Sequence, residues 1–257
     1  SVPPGVCLGP SNETGWDHLA EDLGVSPHRR VLKVPGTGGS GNHVLTAGEA
    51  LQPDTAGRLA SIDGQAVSQV VVEEWLPWQV SLSVSFLVLP GDPPHFLAVT
   101  QQLVDLDTAK FLGSSDRVAL DQRDVDALCA QIVPLFEAMA REGIVGVTAV
   151  DLIVGAWPRV GLALPSGLRM CVIECNPRFN RHNRVGLLVH RLSRLWRVPA
   201  ESLTWTLRDE PTTVKTGAQP PGLTPADPTT ALEGPPCRLA LDDAHRTMQL
   251  TVERAVS

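Results

Sequence analysis

A carboxylate and an amide are spaced along one segment of the chain as ligands of a hard metal ion would be. The segment Arg169–Asn180 reads RMCVIECNPRFN and predicts a strand that ends at Pro177. Because side chains of the same parity share a face of a strand, Glu174 and Asn176 point the same way, about 7 Å apart. Such oxygens suit Mg²⁺ with bound phosphates rather than zinc. Arg178 follows where it can meet an anion. A strand end whose polar residues merely meet water is the alternative.

A second carboxylate lies on the preceding predicted strand, Ile144–Val154. Asp151 lies on the same strand face as the apolar residues two positions before and after it, so it is a lone charge on that face. A buried carboxylate without a partner is costly, so it requires a cation, a metal ion or a hydrogen-bonding partner. If the two strands form a hairpin, Asp151 and Glu174 become neighbours, and two close acids repel each other unless a cation lies between them. We therefore predict that Asp151, Glu174 and Asn176 form a metal site.

A glycine-dense loop at residues 35–41, with the sequence PGTGGSG, follows the predicted strand Arg30–Val34. Its glycines leave the backbone free to fold closely over an anion, and Lys33 lies where its ammonium can reach a phosphate oxygen. The loop matches neither the P-loop nor the dinucleotide-binding fingerprint, and taken alone a flexible hairpin explains it better. Together with Lys33 and the metal site, it predicts a phosphate-binding lid formed by Gly36, Gly38, Gly39, Ser40 and Gly41.

A fourth segment, Gln69–Leu76, is a predicted buried strand that ends in two acids and an aromatic residue. Glu73, Glu74, Trp75 and Leu76 form a candidate hinge whose backbone faces the edge of an adenine. A core strand that meets solvent at its end explains the same pattern equally well.

Composition excludes several classes of protein. The chain has 257 residues, 43% of them apolar, and a formal net charge of −7, which argues against duplex nucleic acid as a partner. No apolar run approaches the length of a membrane span. No basic region followed by an apolar stretch opens the sequence, so we expect no secretory signal. The five cysteines contain no C-x-x-C pair, so we expect neither a disulfide framework nor structural zinc. A reducing cytoplasm is the expected location.

The pattern of predicted helices and strands that position these residues indicates an α+β fold with an antiparallel sheet. Ser81–Leu89 alternates apolar residues with serines, so we expect a strand with one covered face, paired with Phe96–Val104. An amphipathic helix is predicted over Gln122–Glu142 with Asp121 as its N-cap, and a second over Val185–Trp196.

Taken together and in this order, the motifs resemble the ATP-grasp ligase superfamily. The resemblance extends over Ser1–Trp196, and its most specific part is the E-C-N-P-R sequence that begins at Glu174. It implies two α+β lobes whose antiparallel sheets clasp a nucleotide. We expect a small lid lobe at residues 1–76 and a large lobe with the metal site at 77–200. Residues 201–257 would form a C-terminal extension, linker-like at first and then a strand and a helix.

The resemblance also implies roles for the candidate residues. Lys33 would contact the α-phosphate, the glycine loop would cover the outer phosphates, and Glu73 would lie near the adenine amino group. Glu74, Trp75 and Leu76 would belong to the nucleotide-binding hinge. Gln79 stands where the family has an acid that binds ribose. Asp151, Glu174 and Asn176 would hold two Mg²⁺ ions, with Mn²⁺ as an alternative metal, and Glu174 would bridge them.

The implied activity is an ATP-dependent ligation of a small carboxylate to an amine through an acyl phosphate, with amino acids or small peptides as substrates. Lys33 and Arg178 would be the catalytic cations, and Arg178, Arg181 and His182 would contact substrate. Two alternatives stay open: activation of bicarbonate, as in carboxylases and synthetases of the family, and a non-catalytic nucleotide-binding regulatory subunit.

Two departures from the family pattern affect the expected partners. Ala149 replaces an arginine that one branch of the family has at this position. The sequence also resembles only the part of the family that follows its N-terminal domain. We therefore expect a fragment of a longer enzyme, a split enzyme with a partner chain, or an unusual short form. A homodimer is a further expectation, and neither nucleic acid nor a membrane is expected as a partner.

Overall fold

The computed structural model describes residues 2–8, 29–33, 43–46, 61–62, 65–66, 70–105, 111–178, 180–209, 237–243 and 246–255. Within these residues the strands are β1 Gly5–Leu8, β2 Arg29–Lys33, β3 His43–Thr46, β4 Ser61–Ile62, β5 Gln65–Ala66, β6 Val70–Glu74, β7 Val80–Val88, β8 His95–Val104, β9 Phe111–Ser115, β10 Gly146–Gly155, β11 Leu162–Ala163, β12 Arg169–Asn176, β13 Leu203–Asp209, β14 Cys237–Asp243 and β15 Arg246–Arg254. The helices are α1 Gln122–Arg141 and α2 Arg181–Trp196.

The chain divides into two compact units. Unit 1 contains Ser1–Gln79 and Val154–Ile173, and unit 2 contains Val80–Ile153 and Glu174–Ser257. The sequence predicts that residues 77–200 form one lobe, whereas in the structure residues 154–173 belong to unit 1. Two hydrogen bonds show why: the Gln79 N–H donates to the Val154 carbonyl at 2.8 Å, and the Trp157 indole N–H donates to the Pro77 carbonyl at 2.7 Å.

Unit 1 contains a four-stranded sheet with the order β1-β6-β2-β3, in which neighbouring strands are antiparallel. Its central strands β2 and β6 carry the buried residues Val31, Leu32 and Val72. These β-branched and apolar residues favour a strand that is covered by protein. Strands β4 and β5 form a separate two-stranded hairpin.

The larger sheet of the described chain has the order β11-β12-β10-β7-β8-β9-β13-β15-β14. From β7 onward every adjacent pair in that order is antiparallel. The predicted pairing of the β7 and β8 segments across a tight turn is confirmed. The α+β class with antiparallel sheets is also confirmed.

Helix α1 packs its apolar stripe against one face of β7 in unit 2. Leu128, Ile132, Phe136 and Met139 are buried at helical spacing, and the rings of Phe136 and Phe86 lie 4.4 Å apart between centroids. The helix begins after Asp121 as predicted, but the Asp121 side chain makes no capping hydrogen bond.

The serine face of β7 is buried as well, contrary to the expectation that only one face is covered. Ser81, Ser83 and Ser85 are each less than 5% exposed. At one end of this face, Asn183 in the first turn of α2 donates to the Ser85 hydroxyl at 3.0 Å. Farther along the sheet α2 forms a second apolar core with β13 and β15 through Val185, Val189, Leu192, Leu203, Trp205, Leu207, Leu250 and Val252.

The expected C-terminal helix is wrong for the part of 201–257 that is described. Residues 237–254 contain the antiparallel strands β14 and β15, and β15 also pairs with β13. Leu250 and Val252 are buried whereas Glu253 is exposed, so the segment has the two-residue period of a strand. The expected linker at 211–236 lies outside the described residues.

In the described ranges, no helix is both long enough and apolar enough to cross a membrane.

Candidate functional site

The structure brings Asp151 and Asn176 together in unit 2. The Asn176 amide donates from Nδ2 to Asp151 Oδ2 at 3.1 Å. Both side chains lie on adjacent strands of the sheet, β10 and β12, and both residues are less than a tenth exposed. Asp151 also has Glu174 close enough for the two charges to interact. The three predicted metal ligands therefore share one location.

The Asp151 carboxylate is poorly compensated. Its second oxygen, Oδ1, is buried and has no hydrogen-bond partner among the described residues. The pKa of Asp151 is raised to about 6, mainly by burial, and the charge of Glu174 adds to the rise. The nearby polar side chains of Ser83, Gln102 and Asn176 keep the pKa of Asp151 below the value that burial alone would give, and Asn176 does so through its hydrogen bond to Oδ2.

These residues fit a divalent cation such as Mg²⁺. A buried carboxylate oxygen without a partner, next to a second acid, is an arrangement that a bound cation would stabilise. The donor atoms are two carboxylates and an amide, which are hard ligands. No group of three or more His, Cys, Asp or Glu side chains meets in the described ranges, so an amide would be the third protein ligand.

Arg178 lies beside this cluster and is exposed. Its guanidinium donates to Asn176 Oδ1 at 3.4 Å, and its backbone N–H donates to the Asn176 carbonyl at 2.7 Å. The guanidinium thus contacts the amide of a candidate metal ligand while the residue stays open to solvent. This is a suitable position for a cation that meets an anionic substrate.

Helix α2 begins four residues earlier than the sequence predicts, at Arg181. Asn180 and Asn183 form a reciprocal capping box: the Asn180 side chain accepts from the Asn183 N–H at 3.0 Å, and the Asn183 side chain accepts from the Asn180 N–H at 3.1 Å. Arg181 and His182 therefore lie in the first turn of the helix, directly after the E-C-N-P-R segment. Their side chains are outside what the structure describes.

In unit 1, Lys33 is held by two partners. Its ammonium pairs with the Glu73 carboxylate at 2.5 Å and donates to the Ile173 carbonyl at 2.8 Å. Val31 is the register partner of Glu73 across β2 and β6, so Lys33 and Glu73 are diagonal neighbours on one face. Both side chains are mostly buried, at 20% and 13% exposure. The structure thus gives Glu73 a partner that sequence reasoning did not identify.

The predicted hinge is fixed to its surroundings by the backbone. The Trp75 N–H donates to the Arg29 carbonyl at 2.9 Å, and the Glu74 N–H donates to the Pro4 carbonyl at 2.7 Å. The Arg29 guanidinium lies 4.3 Å from the centre of the Trp75 ring, which in turn lies 4.7 Å from the Trp78 ring.

The remaining hinge residues differ in exposure. Leu76 is buried, whereas the Gln79 side chain is exposed. Gly155 packs so closely against this segment that a β-carbon there would lie 2.8 Å from the Trp157 ring and 2.9 Å from the Pro77 carbonyl. The lid residues Gly36, Gly38, Gly39, Ser40 and Gly41 lie outside the described residues, so their role stays a prediction.

Sequence reasoning missed Ser83 and Gln102, which lie near Asp151. The sequence signal for these residues was the alternation along β7, which puts its serines on one face and its apolar residues on the other. Pairing β7 with β8 in the observed register brings Thr100 opposite Ser83 and Gln102 opposite Ser81, on one face.

Comparison with known proteins identifies the fold. Neither a protein-family model nor a curated protein matches the sequence. Among solved structures, the chain is similar to the N5-carboxyaminoimidazole synthetase of Staphylococcus aureus complexed with ADP, with a TM-score of 0.59 and 11% identity over 100% of this chain. It is also similar to the N5-carboxyaminoimidazole synthase of Aspergillus clavatus in complex with ADP and 5-aminoimidazole ribonucleotide, with a TM-score of 0.57 and 14% identity over 100% of this chain.

A third structure is named as a ligase of amino acids. It is the L-amino acid ligase of Bacillus licheniformis, with a TM-score of 0.51 and 13% identity over 82% of this chain. The chain spans 64% of the length of the S. aureus enzyme, 65% of the A. clavatus enzyme and 50% of the amino acid ligase. At these identities the likeness shows the fold alone, and it confirms the ATP-grasp fold predicted from the motifs.

Proposed function

We propose that this chain is the nucleotide-binding part of an ATP-dependent ligase that activates a carboxylate and joins it to an amine. The observation that carries the proposal is the buried Asp151–Asn176 pair beside Glu174, with one carboxylate oxygen left without a partner. A carboxylate of this kind is costly in a protein without a cation, and the ATP-grasp fold supplies the context in which a cation and phosphates would meet it.

Asp151, Glu174 and Asn176 would hold Mg²⁺, or Mn²⁺ in its place. When bound, the metal neutralises the charge that phosphate oxygens carry during phosphoryl transfer. Arg178 is placed to bind the anionic substrate or the transferred phosphoryl group, with Arg181 and His182 following it in α2. Lys33, fixed by Glu73 and the Ile173 carbonyl, would bind a nucleotide phosphate.

The proposed reaction has two steps. An oxygen of the substrate carboxylate attacks the γ-phosphorus of ATP, the β–γ bridging P–O bond breaks, and ADP leaves with the bonding electrons. The amine then attacks the acyl carbon, the C–N bond forms, and inorganic phosphate leaves while the amine loses a proton to solvent. Exclusion of water from the acyl phosphate is the role proposed for the lid of Gly36, Gly38, Gly39, Ser40 and Gly41.

The nucleotide would be held at the hinge of Glu74, Trp75 and Leu76, with Gln79 on the ribose. Support for a nucleotide comes from the two neighbours described as complexes with ADP. Support for an amino-acid or peptide substrate comes from the neighbour named as an L-amino acid ligase. Cytoplasmic location, an additional domain or partner chain, and a homodimer belong to the same proposal.

A second candidate function is the activation of bicarbonate. The neighbours with the higher TM-scores quoted above are named N5-carboxyaminoimidazole synthetase and N5-carboxyaminoimidazole synthase. The family resemblance implies that Arg178 would serve an anionic intermediate, as in the carboxylase branch. The two candidates share the metal cluster and differ in the acid that is activated.

Release of ADP from ATP with a panel of amino acids, with bicarbonate and with no acceptor separates these functions. Release that depends on an amino acid supports the ligase, and dependence on bicarbonate supports the second candidate. Nucleotide binding without ADP release under any condition would indicate a regulatory subunit and overturn both. Glu174→Ala and Asn176→Ala should abolish turnover in a folded protein, and full activity in either would refute the metal assignment.

A further inference from the structure

The ion pair of Lys33 and Glu73 joins the two central strands of the four-stranded sheet in unit 1. The register sets Lys33 opposite Val71 and Val31 opposite Glu73, so the two charged residues lie diagonally on one face of β2 and β6. Diagonal neighbours in a sheet are about 7–8 Å apart, a distance that long side chains can bridge. The register therefore accounts for the pair, and both of its side chains are mostly buried.

Two partners from unit 1 surround the ammonium of Lys33. The ammonium lies 2.5 Å from Glu73 Oε2 and donates to the Ile173 carbonyl at 2.8 Å. An ammonium carries three donors and no acceptor, so with these two described partners at least one N–H is left for a ligand. Since Ile173 belongs to the same unit as Lys33, the side chain is held in place within unit 1 itself.

The carboxylate of Glu73 has its charge compensated by this lysine. Its Oε2 is buried and receives no hydrogen bond from another described residue, so the Lys33 ammonium is the cation that balances it. A buried carboxylate is costly without such a partner. The amino group of a base is neutral and is a weaker partner for a carboxylate than an ammonium is. The geometry thus commits Glu73 to Lys33 before any nucleotide arrives.

We propose that Glu73 acts on the nucleotide through Lys33, as a positioning residue that holds the ammonium ready for a phosphate, and that it does not read the base. The inference rests on the proposed nucleotide site, and it replaces the contact with the adenine amino group that the family resemblance implies for Glu73. Ordering a lysine side chain costs rotamer entropy equivalent to about a 10-fold loss of affinity. A lysine that is already held avoids this cost when the ligand binds.

Isothermal titration calorimetry in the presence of Mg²⁺ tests the proposal with two nucleotides. They are ADP and inosine diphosphate, whose base has an oxo group in place of the adenine amino group. Glu73→Gln keeps the shape of the side chain and removes its charge, and it should weaken the binding of both nucleotides by the same factor, about 10-fold. Added to Lys33→Met, the same change should cause no further loss, because the residue through which it acts is gone.

Glu253→Gln is the matched control. It removes the charge of a glutamate that forms an exposed ion pair with Arg117 in unit 2, at 3.4 Å. Because this pair has no part in the proposed site, the variant should bind both nucleotides as the wild type does.

Four results would overturn the positioning role. A contact of Glu73 with the adenine amino group would make Glu73→Gln change the ratio of the two nucleotide affinities. Competition between Glu73 and phosphate for the ammonium would make Glu73→Gln bind ADP more tightly. A structural role alone would lower the free energy of unfolding while the folded variant kept its ADP affinity. Losses that multiply in the double variant would show that Glu73 acts independently of Lys33.

Lys33→Met separates these failures from failure of the nucleotide site. If Lys33→Met binds ADP as tightly as the wild type does, Lys33 is not a phosphate ligand, and the positioning role falls while the nucleotide site stands. If the wild type itself does not bind ADP, the proposed nucleotide site is wrong, and the positioning role falls with it.

Discussion

Asp151 is a buried acid of unit 2 whose pKa is far from its usual value. It is buried, one of its oxygens has no partner, and its pKa is raised to about 6 because burial disfavours the charged form. Its folded-state pKa therefore lies above 3.8, the usual pKa of an aspartate. At a pH between these two pKa values, the folded protein binds a proton at Asp151 that the unfolded chain does not bind. The stability that Asp151 contributes is therefore present in full below about pH 4 and is lost as the pH rises through about 6.

This shift predicts how the stability of the metal-free protein depends on pH. In EDTA, the free energy of unfolding of the wild type should fall by up to about 3 kcal/mol, relative to Asp151→Asn, between pH 4 and pH 7. Urea denaturation of the two proteins across this range measures the difference. A difference that does not change with pH would show that the Asp151 carboxyl is not destabilised by burial.

At the residue scale, the sequence predicts the grouping of Asp151, Glu174 and Asn176 better than it predicts the residues around them. The parity of Glu174 and Asn176, and the isolation of Asp151 among apolar residues, were sufficient to bring the three together. The approach of Gln102 and Ser83 to Asp151 depends on the register between strands, which composition does not specify. The Lys33–Glu73 pair was missed for the same reason, since it joins diagonal positions on two strands.

The elements that carry the site differ in how their ends are fixed. Helix α2 begins with a reciprocal capping box in which Asn180 and Asn183 satisfy each other's backbone N–H groups. Helix α1 begins after Asp121, whose side chain makes no such bond. The cap residue of α2, Asn180, lies two residues after Arg178, which ends the E-C-N-P-R segment.

Asn180→Ala should therefore destabilise the protein by about 1 kcal/mol, because the first turn of α2 loses its side-chain acceptor. The matched change Asp121→Ala should cost only about 0.3 kcal/mol, since only the interaction of a charge with the helix dipole is lost. Thermal unfolding of both variants gives the comparison. Equal losses would mean that the capping box does not stabilise α2.

The pattern of correct and wrong elements has a physical origin. Strands β7 and β8 and helix α1 were predicted because their apolar residues repeat at a single clear period. The start of α2 was missed because its first turn is polar and its cap uses asparagine at the position where glutamate or glutamine is usual. The C-terminal helix was wrong because Leu250 and Val252 gain their burial from α2 and β13, which are distant in sequence.

At the scale of the whole molecule, the ATP-grasp fold is shared with enzymes that have only 11–14% of residues in common with this chain. So few shared residues indicate that the fold requires a pattern of buried positions rather than particular side chains. The motifs predicted this fold because they occur in the right order. Because the chain spans only part of the length of these neighbours, its activity is a proposal that experiment tests.

Ligand binding to the folded state links the site to global stability. At 100 times its dissociation constant, Mg²⁺–ADP should stabilise the wild type by about 2.7 kcal/mol, measured as a rise in the unfolding midpoint. The same ligand should produce a much smaller rise in Glu174→Gln, which keeps the shape of the side chain and removes its charge. A full rise in this variant would place the metal elsewhere.

Gly155 constrains the order in which two residues of unit 1 can be substituted during evolution. Any side chain at this position would collide with the Trp157 ring and with the Pro77 carbonyl that the indole binds. A substitution at Gly155 is therefore acceptable only after Trp157 has been replaced by a smaller residue, which empties the space and frees the carbonyl to shift. Lineages that keep Trp157 are therefore expected to keep Gly155. A substitution of Gly155 that precedes the substitution of Trp157 is expected to be selected against.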